Sequence, residues 1–305
     1  MPTVGFPPKW RGPVVVPGAG PSWRDSVRPA LVVVDGMNLL HRAHFGFPAR
    51  IRARSGVDLT GAFGFFALLR KALRELGEPA ECVVAFDSES SLDSRMAAFP
   101  AYKPPKATSQ PRAGDQYAWV PTIYRGLDLV GIAWVEADGH EADDVVAAAI
   151  TTCRRRTAFV MSSDRDFHQL LGPRTFQLLA MQPAHRRVLG VAHVQQRYGV
   201  DPGQWCDYRA LTGDVCDGIP GVRGVGPQRA AAALGHGGPL ERCDWTRHGW
   251  WGARVAESLD DVHLWRELVR LRADVRAPEI SGRPTADLPL AARVLDELGT
   301  WDAPL

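Results

Sequence analysis

The 305-residue sequence has no CxxC pair, no Cys/His spacing of the zinc-site kind, and no run approaching the roughly 18 apolar residues of a membrane span. Its five cysteines (Cys82, Cys153, Cys206, Cys216, Cys243) are odd in number and scattered, which argues against a disulfide framework and fits a reduced, intracellular chain. The N-terminal stretch MPTVGFPPKWRGPVVVPGAGPSW has too many prolines and glycines for a signal-peptide core. The expectation is a cytoplasmic protein with no membrane partner. A charge excess is missing too. With 36 Lys+Arg against 34 Asp+Glu, global charge announces no nucleic-acid partner, so any such function must lie in the distribution of charge. One local absence is informative: from Arg95 to Arg112 there are four basic residues and no acid.

What is present is an alternation of buried strands and helices. Residues 1–28 form a Pro/Gly-rich extension expected to be poorly ordered. Ala30–Asp35 (ALVVVD) is a β-branched run short enough for a buried strand, followed by a helical stretch from Met37 to Phe45. Thr60 opens a longer helix, with Phe63, Phe66, Leu69 and Leu73 at helical spacing and Gly77 as its stop. Strands follow at 82–86, 132–135 and 157–161, with helices over 115–129 and 167–171. This alternation predicts a parallel α/β sheet covered on both faces. Residues 102–114 (YKPPKATSQPRAG) read as a long polar, basic loop, and loops of this length are usually functional or mobile.

Acids recur where the strands end. Asp35, Asp87, Asp164 and Asp166 follow three different strands, and HEADD places Glu141, Asp143 and Asp144 in the first turn of a helix. Each has an ordinary alternative: an Asp after a strand is commonly a turn or cap residue, and acids favour the positive end of a helix dipole. The coincidence of three strand ends with HEADD favours an acidic pocket, since crevices in such sheets lie at the carboxyl ends of strands.

Beyond residue 200 the texture turns helical. The loop TGDVCDGIPG offers two further carboxylates, Asp214 and Asp217. Next comes GVRGVGPQRAA, a Gly-rich turn that opens an Ala-rich helix. No Gly-Lys-Ser/Thr follows, which excludes a Walker A loop, and no strand precedes it, which disfavours a dinucleotide fingerprint. A helix-hairpin-helix fits better, its amides and helix start holding a backbone phosphate beside Arg223 and Arg229. An ordinary glycine turn is the plainer alternative. The helices at 265–271 and 290–298 read as packing.

Carboxylates clustered without His or Cys suit hard cations, chiefly Mg²⁺ or Mn²⁺. Two such ions about 3.5–4 Å apart can activate water and stabilise a leaving oxygen in phosphodiester hydrolysis. Together with a basic segment and a phosphate-holding turn, the residues themselves point to a metal-dependent nuclease.

In order, the motifs VVVDG (Asp35), VAFD (Asp87), HEADD, SSDRDFHQLL (Asp164, Asp166) and YRALTGDVCDGIPGVRGVG (Asp214, Asp217) resemble the 5′-to-3′ exonuclease and flap endonuclease family. The likeness covers residues 30 to 235 and is nearest to the N-terminal nuclease domain of bacterial DNA polymerase I and its stand-alone homologues. It implies an α/β fold: a PIN-like parallel-sheet nuclease domain at 29–200, with an arch segment at about 95–115. A C-terminal helical region would follow at 201–305, with its helix-three-turn-helix (helix-hairpin-helix) turn at 221–235. It also implies that Asp35, Asp87, Glu141, Asp143 and Asp144 surround one metal, and that Asp164, Asp166, Asp214 and Asp217 surround the other. Arg95 and Lys103 would meet the scissile phosphate as catalytic residues. Lys106, Arg112, Gly221, Arg223, Gly224, Gly226 and Arg229 would contact DNA, with K⁺ expected at the Gly-rich turn. The implied partners are DNA with 5′ ends, flaps or nicks, RNA-DNA primers, and a separately supplied DNA polymerase. Three departures stand out: His140 before EADD, Lys106 where the family often has Arg, and a Pro-rich arch (Pro104, Pro105, Pro111).

Two alternatives share the fold: a non-catalytic DNA-structure binder and a PIN-class ribonuclease. All nine acids are present, which argues against the first, and the helix-hairpin-helix turn argues against the second. An Asp-x-Asp phosphatase is excluded, because Met37 stands two residues after Asp35.

Overall fold

Among the described residues, six strands make one sheet: β1 (Ala30–Asp35), β2 (Ala80–Phe86), β3 (Ala133–Glu136), β4 (Ala158–Met161), β5 (Thr175–Leu178) and β6 (Val188–Leu189). They lie in the order β3-β2-β1-β4-β5-β6, all parallel except the β5–β6 pair. This computed structural model describes residues 28–103, 116–153, 155–235, 238–276 and 278–302. Chain order reverses at β1, which pairs with β2 on one side and β4 on the other. The crevice of a doubly wound sheet opens at such a switch point, beyond the carboxyl ends of the strands.

The helices between strands are α1 (Gly36–Gly46), α2 (Thr60–Leu76), α3 (Asp93–Ala98), α4 (Val120–Val130) and α5 (Ala142–Thr152). Then come α6 (Val191–Tyr198), α7 (Trp205–Thr212), α8 (Pro227–Leu234), α9 (Gly249–Glu257), α10 (Leu259–Val269) and α11 (Ala291–Glu297). Side chains alternate across β1. Ala30, Val32 and Val34 join a core with Leu40 of α1, Phe66 of α2, Leu127 of α4 and Val294 of α11. Leu31 and Val33 face the other way, onto Val145, Val146 and Ala149 of α5. Both faces are covered, so the strand reads as a continuous apolar run. A second core, centred on Trp205 and Tyr208, joins α6–α8 with Trp245, Val255 and Val262. Among the described residues no helix is long and apolar enough to cross a membrane.

The expected helix over 115–129 is a 3-10 turn at Gln116–Trp119 followed by α4, and Asp166–Leu170 is 3-10 rather than α-helical. Strands β5 and β6 carry little sequence signal. They are four and two residues long, and β5 (TFQL) mixes polar and apolar side chains. The N-terminal extension, Lys106, Arg112 and the arch prolines lie outside the described residues.

Candidate metal and nucleic-acid site

The sheet presents Asp35 at the carboxyl end of β1. Its side chain accepts from the Asn38 N–H (2.9 Å), capping α1, and from the Ser162 hydroxyl (2.8 Å) beyond β4. The capping reading is therefore correct for this residue, and its second oxygen is held by Ser162. Burial, and then the charges of Asp87 and Asp164, push the Asp35 carboxyl up to about 7. Asp87, one residue past β2, accepts from the Ala142 N–H (2.7 Å) at the start of α5 and so ties two strand ends together. Its carboxyl is also raised, by burial and by the Glu141 charge. Asp143 is raised well above the ordinary carboxylate range by burial and by Asp35 and Asp164. Asp35, Asp87, Asp143 and Asp164 thus act on one another electrostatically at the switch point.

The opposite wall comes from the loops after β4 and α7. The Asp164 N–H donates to Ser162 Oγ (3.0 Å), and the Asp166 N–H to Asp164 Oδ1 (2.8 Å). Gln177 on β5 braces the same loop by donating to the Ser162 carbonyl (2.9 Å). After α7, Asp214 and Ile219 exchange backbone hydrogen bonds of 2.7 and 2.8 Å. That clasp brings Asp214 and Asp217 to Asp166, and one oxygen of each lies within 4.8 Å of the others. Burial and the Asp164 charge raise the Asp166 carboxyl to about 7, and Asp217 is raised as well. Carboxylates crowded this closely suit a cation of hard, oxygen-preferring type.

The remaining acids of HEADD are engaged differently. The Asp144 carboxylate is fully buried and takes both Arg95 terminal nitrogens (2.7 and 2.9 Å) and the Arg272 N–H (2.9 Å). Arg95 is itself buried, also bonds Glu141, and therefore does not face solvent. Glu141 accepts from Lys103 and from the buried Tyr102 hydroxyl (3.0 Å). The structure thus brings together Asp35, Asp87 and Asp143 on one side, and Asp164, Asp166, Asp214 and Asp217 on the other. Asp144 and Arg95 are instead a closed pair behind the pocket. Lys103 reaches the pocket edge, where the charges of Glu141, Asp143 and Asp217 outweigh burial and hold its ammonium protonated. His140 lies beside the pair, with Nδ1 3.9 Å from Asp144.

Several participants carry no sequence signal of their own. Arg209 on α7 pairs with Asp214 and lies 3.4 Å from Asp166. Tyr102, Ser162 and Gln177 are ordinary residues until the fold brings them to the acids. At the Gly-rich turn, Arg223 and Gly226 are exposed and Gly221 and Gly224 have left-handed backbone, while Arg229 donates to the Gly224 carbonyl (2.5 Å).

A family model described as 5′-3′ exonuclease, N-terminal resolvase-like domain, matches residues 30–199, and its companion, 5′-3′ exonuclease, C-terminal SAM fold, matches residues 200–284. The chain belongs to the 5′-3′ exonuclease family. These family members are nuclease hydrolases. Its relatives include the thermostable DNA polymerase I of Thermus filiformis, 33% identical over 251 residues, covering 80% of this chain and 29% of that protein. DNA polymerase I of Deinococcus radiodurans is 32% identical over 231 residues, covering 75% of this chain and 23% of that protein. The chain therefore spans less than a third of these relatives. Among solved structures, T5 5′-exonuclease with bound divalent zinc ions has TM-score 0.64 and 18% identity, covering 89% of this chain and 97% of that one. Human GEN1 in complex with Holliday junction DNA has TM-score 0.58 and 16% identity, covering 92% of this chain and 70% of that one. At these identities the likeness establishes the 5′-nuclease fold, a parallel-dominated α/β domain with a helical C-terminal part.

Proposed function

We propose that this chain is a divalent-metal-dependent 5′ nuclease that hydrolyses DNA phosphodiesters at free 5′ ends and flap junctions. The observation that carries the reading is the approach of Asp166, Asp214 and Asp217 within 4.8 Å, across the β1/β4 crevice from Asp35 and Asp143. Asp35, Asp87 and Asp143 would hold one Mg²⁺ or Mn²⁺ ion, with Glu141, held by Arg95, Tyr102 and Lys103, at its edge, and Asp164, Asp166, Asp214 and Asp217 would hold the other. Such ions, when bound, polarise a phosphoryl oxygen and supply hydroxide at neutral pH.

The chain's own groups do the rest. Lys103, protonated at the pocket edge, neutralises phosphate charge as it grows in the transition state. Arg95 holds Glu141 and Asp144 in place and acts as a positioning residue, its donors being turned inward. Arg209 neutralises Asp166 and Asp214, which keeps those carboxylates assembled. The turn at Gly221–Gly226 grips a duplex backbone through its amides. DNA is favoured over RNA because this turn reads backbone on a duplex. RNA-DNA primers and a separate polymerase are further partners within the same reading.

The test is a labelled 5′-flap DNA, and its RNA copy, incubated with the chain in Mg²⁺ and in EDTA. The expected result is product from the DNA flap in Mg²⁺ alone, with the RNA copy cut far more slowly. Preferential cleavage of RNA would move the reading to a ribonuclease. No cleavage of either, with binding retained, would make it a structure-binding protein.

A further inference from the structure

Trp250 on α9 is 56% exposed, although a tryptophan side chain is normally drawn into a core. Two guanidinium groups lie over its ring: Arg229 of α8, at 4.8 Å from the ring centroid, and Arg254 of α9, at 5.4 Å. The ring also closes on the Gly-rich turn. A Cβ on Gly224 would lie 2.7 Å from the indole, and the backbone there is left-handed (φ 90°), so the close approach favours glycine. Arg229 joins them by donating to the Gly224 carbonyl. Arg223 is exposed on the turn, and Arg242 and Arg247 are exposed just before α9. Of the acids nearby, Glu241 pairs with Arg266 (2.5 Å), while Asp244 accepts from Thr246 (2.6 Å) and, 3.9 Å from Arg247, offsets part of that one arginine's charge.

We propose that Trp250 and Arg254, with Arg229, form a second phosphate grip that carries a DNA duplex onward from the Gly221–Gly226 turn. This rests on the 5′-nuclease reading above and adds which part of the substrate is held, and by what. Cation–π contact fixes two flexible arginine side chains on a rigid platform, which lowers the ordering cost of each hydrogen bond they give. The indole face is already engaged by guanidinium, so the cluster offers N–H donors to backbone phosphates rather than a stacking face to an unpaired base. Its place beside a backbone-gripping turn makes the continuing duplex arm the occupant.

The experiment measures binding in EDTA, by fluorescence anisotropy, of flap DNAs whose duplex arm is either under one helical turn or two turns long. Trp250→Ala and Arg254→Ala should each weaken binding of the long-arm substrate about ten-fold. For every phosphate that a variant no longer neutralises, the slope of log affinity against log salt should become shallower by about one. The short-arm substrate should change little. Arg254 is exposed, so its variant keeps the fold and guards against a misfolded Trp250→Ala. Unchanged long-arm binding, or equal loss on both arms, overturns the proposal. A larger loss on a single-stranded oligonucleotide than on the long arm also overturns it, in favour of base stacking. If the unaltered protein neither binds nor cuts flap DNA, the 5′-nuclease reading itself fails. If it does both while the variants bind normally, only this inference fails.

Discussion

Lys103 alone among the described non-glycine residues has left-handed backbone, at φ 42°. For a lysine this costs of order 1 kcal/mol and persists because neighbours hold it. Its N–H donates to the Asp217 carbonyl (3.0 Å), its ammonium meets Glu141, and so it bridges the two walls of acids. Those acids set the pH behaviour. Asp35 and Asp166 are pushed up to about 7 in the fold, whereas an unfolded Asp titrates near about 3.9. Between these values the folded chain keeps protons that the unfolded chain has released, so metal-free stability falls as pH rises through that window. In EDTA the melting temperature should drop between about pH 5 and about pH 8. Saturating Mg²⁺ should raise it more at the higher pH, because protons and cation compete for the same oxygens. A Mg²⁺ shift of equal size at both pH values would argue that these carboxylates do not hold the ion.

In the loop from Gly213 to Gly221, backbone packing rather than side-chain contact decides where Asp214 and Asp217 stand. Gly213 (φ 81°) and Gly221 (φ 67°) pack backbone on backbone, and a Cβ at Gly221 would lie 2.5 Å from the Gly213 nitrogen. Gly221→Ala therefore has both strain and a clash, and should cost about 1–3 kcal/mol in unfolding while weakening divalent-cation affinity. Calorimetric titration with Mn²⁺ beside a denaturant melt checks both, and intact cation affinity would mean the clasp is not needed to hold Asp214 and Asp217 in place. The two aspartates are legible in TGDVCDGIPG, but the clasp is not, because it depends on a backbone approach that spacing does not encode. The strong strands are legible for the opposite reason: ALVVVD and CVVAF are apolar on both faces, the signature of a doubly covered parallel sheet. HEADD is legible as an acidic cluster, yet its division of labour is not. Asp143 faces the pocket acids and Asp144 is turned inward on Arg95, a difference of one helical position that only the packed α5 decides. Trp250 carries no signal in the sequence, because it stands beside Trp251 in one helix and nothing in the pattern tells which of the two packs.

At the scale of the molecule, the pocket joins two cores. The α/β part supplies Asp35, Asp87, Asp143, Asp164 and Asp166 from strand ends and the start of α5, and the helical part built on Trp205 supplies Asp214 and Asp217. Trp205 itself crosses between them, donating its indole N–H to Asp166 (3.3 Å). Both halves match models of the same 5′-3′ exonuclease family, and across them Asp166 approaches Asp214 and Asp217 within 4.8 Å. Asp164 lies at the seam, its side chain bonded within its own loop and its charge acting on Asp35, Asp143, Asp166 and Asp217. Removing it strips one carboxylate from the pocket while leaving both cores intact. The most direct test is single-turnover cleavage of a 5′-flap DNA in Mg²⁺ by Asp164→Ala beside the unaltered protein, with flap binding measured in parallel. Loss of cleavage with binding largely retained is the predicted result; cleavage by Asp164→Ala at the unaltered rate would contradict the account.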